Sequence, residues 1–271
     1  RERMNILVCV KQVPDTNEIK IDPETNTLVR DGVPSIVNTF DGYALEAAAR
    51  VKDNNPDTKI VVLSMGPAQA ETALRECLAI AADKAYLLTD RAFGGSDTLA
   101  TSYILSQAIR KVESLEGKFD MIFCGKQAID GDTAQVGPEI AEHLGMPQVT
   151  YALEVQEAGA DGLKVIREAE DGKQVVGVSY PCLVTFTKPN FDPRFPTIKR
   201  KMAARKAVIE QITAADLEGI DLSRAGLKGS PTKVKRTYVP PRKKSGVMIT
   251  GETPEECAAK LYEALNSAHI I

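Results

Sequence analysis

The sequence has no tryptophan, two histidines and only 5% aromatic residues in 271 positions. Neither His143 nor His269 lies near a serine or cysteine elbow, so hydrolysis by a nucleophile–histidine triad is not expected. The five cysteines, Cys9, Cys77, Cys124, Cys182 and Cys257, are far apart and form no CxxC pair. That spacing argues against a zinc site, an iron–sulfur cluster or a disulfide framework. Cys9 and Cys124 end apolar runs, where a small buried hydrophobe is the plain reading. No apolar run reaches the ~18–20 residues that cross a bilayer. Net charge is −3 with 26% charged residues, which gives no electrostatic reason to bind nucleic acid. The opening RERMNILVCV is too brief and strand-like for a signal peptide, and the residues before Met4 read as a leftover of cloning. A soluble cytoplasmic protein is the expectation, with no nucleic-acid partner and no membrane span. There is also no GxGxxG after the first apolar run and no GxxxxGK[ST], so neither the usual dinucleotide fingerprint nor a P-loop is present.

What is present is an alternation of strand and helix signals over the first ~145 residues, the pattern of a parallel sheet covered on both faces. Strands are predicted at Ile6–Val10, Lys59–Ser64, Ala85–Leu88 and Phe119–Cys124. Helices are predicted at Asp41–Val51, Ala68–Ile80 with Pro67 in its first turn, from Ser96 or Asp97 to about Val112, and Ala134–Leu144 capped by Asp132 or Thr133. Lys11–Ser35 is a long polar excursion. After Met146-Pro147, Thr150–Gln156, Leu163–Ala169 and Gln174–Tyr180 read as strands joined at Ala160-Asp161-Gly162 and Asp171-Gly172, an antiparallel insertion over about 150–180. Cys182–Phe186 is a buried strand able to return to the parallel sheet. Residues 226–252 offer little to bury, which is costly in entropy unless they lie on something else. They read as an arm that packs on a partner chain, ending in a helix capped by Thr253, with Pro254 first and Glu256 closing a capping box. The fold class is therefore α/β, a doubly wound, mostly parallel, Rossmann-like sheet with a hairpin insertion. It carries a nucleotide-binding domain over 1–225 and a C-terminal arm over 226–271.

Ligands of such sheets bind beyond the carboxyl ends of the strands. Four strand-to-helix loops collect there: Cys9–Lys11, Ser64–Ala68, Asp90–Thr98 and Gly125–Val136, with Asn38–Asp41 beside them. The most informative is GKQAIDGDTAQVG (Gly125–Gly137). It is a polar turn at the start of a helix, where free backbone N–H groups and the helix dipole favour an anion. Lys126 has the wrong spacing for a P-loop lysine.

VCVKQVPD, DGVPSIVNTFDGYALEAA, SMGPAQAE and GKQAIDGDTAQVG, together with VIREAEDGKQVVGVSYPCLVT (Val165–Thr185), resemble the β subunit of electron transfer flavoprotein, over essentially the whole chain. Gly42 stands where family members often have an acidic residue. The resemblance implies a heterodimer with an α subunit whose FAD passes electrons to dehydrogenases or a membrane quinone reductase. It also implies either AMP or, in electron-bifurcating members, a second FAD in the β subunit. The implied nucleotide contacts are Cys9, Asn38, Thr39, Phe40, Asp41, Met65, Gly66, Cys124, Gly125, Ala128, Asp130, Gly131, Asp132, Thr133, Ala134, Gln135 and Val136. TDRAFGGSDTLATS (Thr89–Ser102) resembles the bifurcating kind. There, small residues at Gly94 and Gly95 leave room for an isoalloxazine, and Asp97, Thr98 and Thr101 lie at the helix start that would hold it. That kind takes hydride from NADH. It sends one electron to ferredoxin or flavodoxin and the other, through the α-subunit FAD, to an acyl-CoA dehydrogenase. Residues 190–206 resemble the family's recognition loop, with Ile198 as apolar anchor and Arg194, Phe195, Lys199 and Met202 as partner contacts, Arg200 and Lys201 completing a basic rim. The rival outside the family is an ATP pyrophosphatase, whose phosphate loop FGGSDT imitates, although here it follows the third strand.

Overall fold

The computed structural model describes residues 4–15, 34–235, 238 and 246–271. The first half runs β1 (Asn5–Cys9), β2 (Gln12–Pro14), β3 (Ser35–Val37), α1 (Thr39–Asn54), β4 (Lys59–Met65), α2 (Glu71–Ile80), β5 (Lys84–Leu88), α3 (Thr98–Glu116), β6 (Met121–Gly125) and α4 (Val136–Leu144). It continues through β7 (Gln148–Ala158), β8 (Gly162–Ala169), β9 (Gly172–Ser179), β10 (Cys182–Phe186), α5 (Ile198–Lys206), β11 (Glu210–Ile212) and the short α6 (Gly226–Gly229). The polar stretch after Lys11 pairs its ends as the antiparallel β2–β3 ribbon, and residues 16–33 lie outside those described.

The strands form one nine-stranded sheet in the order β11-β5-β4-β1-β6-β10-β7-β8-β9. Every neighbour pair is parallel as far as β10–β7, and β7–β8–β9 are antiparallel. Alternate residues along each central strand are buried on opposite faces. Ile6, Val8, Ile60, Val62, Met121 and Phe123 join the cluster that α1, α2 and α5 cover. Leu7, Cys9, Val61, Leu63, Ile122 and Cys124 join the one covered by α3 and α4. Burial on both faces explains why these strands read as unbroken apolar runs rather than alternating ones. From β1 the chain winds out to β4 and β5, then crosses back to β6 on the other side. The winding reverses between β1 and β6, and that opens a crevice at their carboxyl ends.

Several details differ from the sequence reading. The strand over Thr150–Gln156 is not part of a separate insertion: β7 lies parallel to β10, and only β8 and β9 extend the sheet antiparallel. A bulge sets Thr150 and Tyr151 opposite Thr185 alone, and Tyr151 takes φ 58° while its amide donates to Thr185 Oγ1 at 3.2 Å. The second hairpin turns one residue earlier than Asp171-Gly172. Ala169 pairs with Gly172, so Glu170-Asp171 is the loop. The helix expected over Ala68–Ile80 opens as a 3₁₀ turn, Ala68–Ala70, before α2. The compact unit containing the sheet ends after Lys235, later than expected, because residues 226–232 pack on the loop after β5. The second unit's described residues include α7 (Pro254–Ser267), capped by Thr253 with Pro254 in its first turn. Glu256 accepts the amide of Glu252 rather than that of the cap residue. Pro240-Pro241 and the basic run 242–244 lie outside the described residues.

At the amino ends of the strands Glu116, the last residue of α3, gathers β4 and β5. Its carboxylate accepts from Lys59 Nζ, from Lys84 Nζ at 2.7 Å and from the Tyr86 hydroxyl. Burial pushes this carboxyl up, but the Lys59, Lys84 and Tyr86 donors outweigh it and hold it at about 2. With the folded value depressed, the stabilisation is present above the usual glutamate range near pH 4.5 and is lost as pH falls toward 2. Chemical denaturation at stepped pH should therefore show wild type losing stability more steeply than Glu116→Gln between pH 4.5 and 2.5. Parallel curves for the two proteins would remove this role.

Candidate functional site

Asp41 is the centre of the crevice. It sits in the first turn of α1, is only 7% exposed, and its carboxylate accepts the amides of Lys11 at 2.7 Å and Gly125 at 3.0 Å. One side chain thus closes the ends of β1 and β6, the strands that flank the reversal. Gly125 is required by contact. A Cβ there would stand 2.3 Å from Asp41 Oδ1 and 2.7 Å from the Asp41 amide nitrogen. Burial pushes the Asp41 carboxyl up to about 7, against the amide of Lys11, the Asn38 side chain, the amide of Gly125 and the charge of Lys11. Asn38, 1% exposed, continues the lattice. Its amide donates to Lys11 O at 2.8 Å, its side chain donates to Gln127 O at 2.8 Å, and its Oδ1 accepts from the Ile129 amide at 3.0 Å. Lys11 Nζ reaches Asp130 at 2.6 Å. Three separate chain segments are therefore locked into one rim.

The loop after β6 then leaves its donors free. The expected cap by Asp132 or Thr133 does not form: the helix starts at Val136, its N-cap Gln135 makes no side-chain cap bond, and Asp132 Oδ1 accepts from Gln127 Nε2 at 2.6 Å instead. Asp132 and Ala134 both take positive φ, 53° and 54°, a costly geometry for residues with a Cβ. The amides of Thr133, Ala134, Gln135, Val136 and Gly137 donate to no protein acceptor among the described residues. A strained turn, an uncapped helix start and consecutive unclaimed N–H groups make a concavity suited to an anion such as a phosphate. Gly131 is exposed with open space around it, and Ala128 accepts the amides of Gly131 and Asp132 that shape the turn. Gly137 lets α4 press on β10, since a Cβ there would meet Thr185 Cγ2 at 2.6 Å.

The remaining candidates spread along the same rim. Cys9 and Cys124 are register partners on β1 and β6 and lie beneath it. Thr39 is exposed and Phe40 half-buried at the start of α1, Phe40 meeting Tyr43 edge-on at 6.1 Å. Met65 ends β4, and Gly66 follows it with its amide on Leu88 O. Thr98 Oγ1 donates to Gln135 Oε1 at 3.0 Å, so the loop after β5 meets the loop after β6. Thr101 lies on the next turn of α3, its amide on the Asp97 carbonyl. Glu139 faces the same junction, burial raising its carboxyl against the Ser102 and Thr98 hydroxyls.

One structural reason differs from the one expected. Gly95 does not leave free room: it sits at φ 74°, and a Cβ would strike Leu227 Cγ at 2.5 Å. Asp97, not Ser96, caps α3, accepting the Ala100 amide at 3.0 Å, and its other oxygen accepts the Thr232 amide at 2.9 Å. A Cβ on Gly94 would likewise crowd backbone, 3.3 Å from Arg91 O. The loop that supplies Gly94, Gly95 and Asp97 is thus buttressed by residues 226–232, more than a hundred positions away in sequence. No local signal reveals such a contact. Lys11, expected only as part of the loop after the first strand, acts through its backbone amide, a role that appears only when α1 folds back onto β1.

Known proteins resemble this chain along most of its length. A model of the electron transfer flavoprotein domain matches residues 25–217. The chain is 53% identical over 269 residues to an electron transfer flavoprotein subunit beta of Thermoanaerobacterium thermosaccharolyticum, covering 99% of this chain and all (100%) of that one. It is 52% identical over 257 residues to the protein of that description from Megasphaera elsdenii, 94% of each chain. It is 51% identical over 270 residues to the caffeyl-CoA reductase-Etf complex subunit CarD of Acetobacterium woodii, 99% of this chain and 100% of that one. The chain belongs to the electron transfer flavoprotein family. Within it, these relatives place the chain among the β subunits, and the nine-stranded α/β sheet is the fold expected of it. Among the described residues no helix is long and apolar enough to cross a membrane.

Asp41 supplies a pH test of the crevice. Its folded value is raised, so between about pH 4 and 7 the folded chain holds a proton that the unfolded chain has released. Stability should fall as pH rises through that window, by up to ~1.4 kcal/mol per pH unit, and level off above it. Asp41→Asn cannot titrate, so the stability gap between wild type and variant should shift in favour of the variant from pH 5 to 8. A gap that stays constant with pH would mean that Asp41 is ionised throughout.

Proposed function

We propose that this chain is the β subunit of an electron-bifurcating electron transfer flavoprotein, with an FAD lying along the carboxyl rim of the sheet. The observation that carries the reading is the row of unclaimed amides from Thr133 to Gly137 beside the β1–β6 crevice, a ready seat for a pyrophosphate. Asp41 and Asn38 tie the walls of that crevice together at fixed spacing. From β6 across β1 and β4 to β5 is roughly 14 Å at the usual strand spacing, so a dinucleotide anchored at α4 extends toward Gly66, Asp97, Thr98 and Thr101. When bound, a flavin supplies hydride acceptance and one-electron transfer. The chain's own residues bind it, orient it and keep water from one side of it. NADH is the proposed donor, and the proposed acceptors are ferredoxin or flavodoxin and, through the FAD that an α subunit would hold, an acyl-CoA dehydrogenase.

Docking is assigned to residues 190–206. Phe195, Ile198 and Met202 are 91%, 79% and 59% exposed, a concentration of apolar surface that a solitary domain leaves uncovered only at cost. Lys199 is exposed beside them. The C-terminal unit with α7 is assigned to the α subunit, in keeping with its small share of core residues.

A second reading rests on Leu227. Its side chain occupies the space over Gly95 where a ring would otherwise fit, which favours a β subunit that holds AMP at the crevice and nothing beyond it. The two readings separate in one preparation. The heterodimer purified with an α subunit, without ligand stripping, should contain two flavins per dimer, and anaerobic addition of NADH should bleach both. One flavin plus AMP would establish the second reading, and two flavins untouched by NADH would remove NADH as donor.

A further inference from the structure

We propose that Glu46 is a clasp that presets the shape of the docking loop, an inference resting on the assignment of residues 190–206 to docking. The loop joins β10 to α5 and carries prolines at 189, 193 and 196, which lack the N–H needed to knit it internally. Its order therefore has to come from side chains. Glu46 lies in the middle of α1 with its side chain 4% exposed, and both of its oxygens face Arg194. Oε2 accepts the Arg194 backbone amide at 3.1 Å and Nε at 2.8 Å, while Oε1 accepts the guanidinium at 3.1 Å. Asp53, two turns further along the helix, takes the outer edge of that guanidinium at 2.6 Å and 3.2 Å. Arg50, between them, donates to Glu46 at 3.2 Å and lies 3.5 Å over the Phe191 ring. One face of α1 thus grips the loop at Phe191 and Arg194.

The far end is held as firmly. Arg200 of α5 donates to Leu78 O at 3.0 Å and Ala82 O at 2.8 Å, and Arg75 of α2 donates to Ala204 O at 2.7 Å and Ala207 O at 3.1 Å. Two of the basic side chains expected to rim Ile198, Arg194 and Arg200, are therefore turned inward as anchors. Phe195 and Ile198 stand between the anchored points. Fixing the backbone on both sides presents them already ordered, and a partner is spared the cost of immobilising them. Arg194 donates to its own loop's clasp through the backbone as well as the side chain, so the carboxylate sets a local conformation rather than merely adding a charge pair. Glu46 shares α1 with Asp41, so the helix whose first turn builds the crevice also holds the docking loop.

The test uses the full heterodimer. Glu46→Gln keeps the side-chain shape and removes the charge. Amide hydrogen exchange across 190–197 should speed up on the order of tenfold, nucleotide content should be unchanged, and KM for an acyl-CoA dehydrogenase should rise several-fold with kcat at saturation retained. Arg194→Lys, which cannot bridge both carboxylates, should show the same signature more weakly, and it keeps the proposal testable should Glu46→Gln fold poorly. Unchanged exchange in 190–197 would overturn the clasp. Faster exchange with an unaltered KM would instead overturn the docking assignment on which the proposal rests.

Discussion

The buried carboxylate of Asp41 is the constraint on which the crevice depends. Parallel strands beyond their last paired residue have nothing to keep their ends in register, and at a reversal of winding no crossover helix spans the gap. Asp41 accepts one amide from each side, at Lys11 and Gly125, and so converts two loose ends into a single edge. Gly125 must lack a side chain for that carboxylate to approach. Asn38 extends the bonding to Gln127 and Ile129, and the loop after β6 takes its course from there. The cost is a desolvated acid at the centre of the molecule, offset by short, fully made bonds.

The opposite treatment of two helix starts follows from that arrangement. α3 is capped by its own Asp97, which also ties residues 230 and 232 to the loop after β5. α4 is left uncapped, although Asp132 and Thr133 stand a few residues before it. Asp132 bonds Gln127 instead, and the chain accepts positive φ at Asp132 and Ala134 to do so. A chain selected only for stability would cap both helices, at a gain of ~1 kcal/mol. Leaving one bare at the reversal point, beside the crevice, is what an anion-binding role requires.

The fold was legible because burial on both faces writes the central strands as β-branched runs, and proline and glycine punctuate them. Ile6–Val10 and Lys59–Ser64 were displaced by no more than a residue. Cys182–Phe186 read as a buried strand able to return to the parallel sheet, and β10 lies there between β6 and β7. Failures arose where tertiary contact overrides local chemistry. β7 is a half-exposed strand, and nothing in its sequence distinguishes a parallel neighbour from an antiparallel one. The Asp132 cap was locally sound and lost to Gln127. Gly95 read as empty space because Leu227, which fills it, is remote in sequence. Over residues 190–206 the charges of Arg194 and Arg200 were visible, but their inward direction depends on Glu46 and on the end of α2.

The titratable groups bear on what kind of machine this is. Asp41 holds strand ends, Glu116 gathers lysines beneath the sheet, Asp97 caps and braces, and Arg194 is held by Glu46 and Asp53. Burial, with Arg224 and Arg110 nearby, holds His143 below the usual histidine range, and it packs edge-on against Tyr103 at 6.0 Å. Each of these ionisable side chains serves the scaffold rather than standing free toward the rim. Perturbed groups often mark an acid or base in waiting, but ion pairing within a scaffold perturbs them equally well, and geometry decides between the two. Here it favours a protein whose charged side chains fix distances and orientations along its own rim. That is the physical demand of electron transfer, where the chain sets where the carrier sits and how closely the next one approaches.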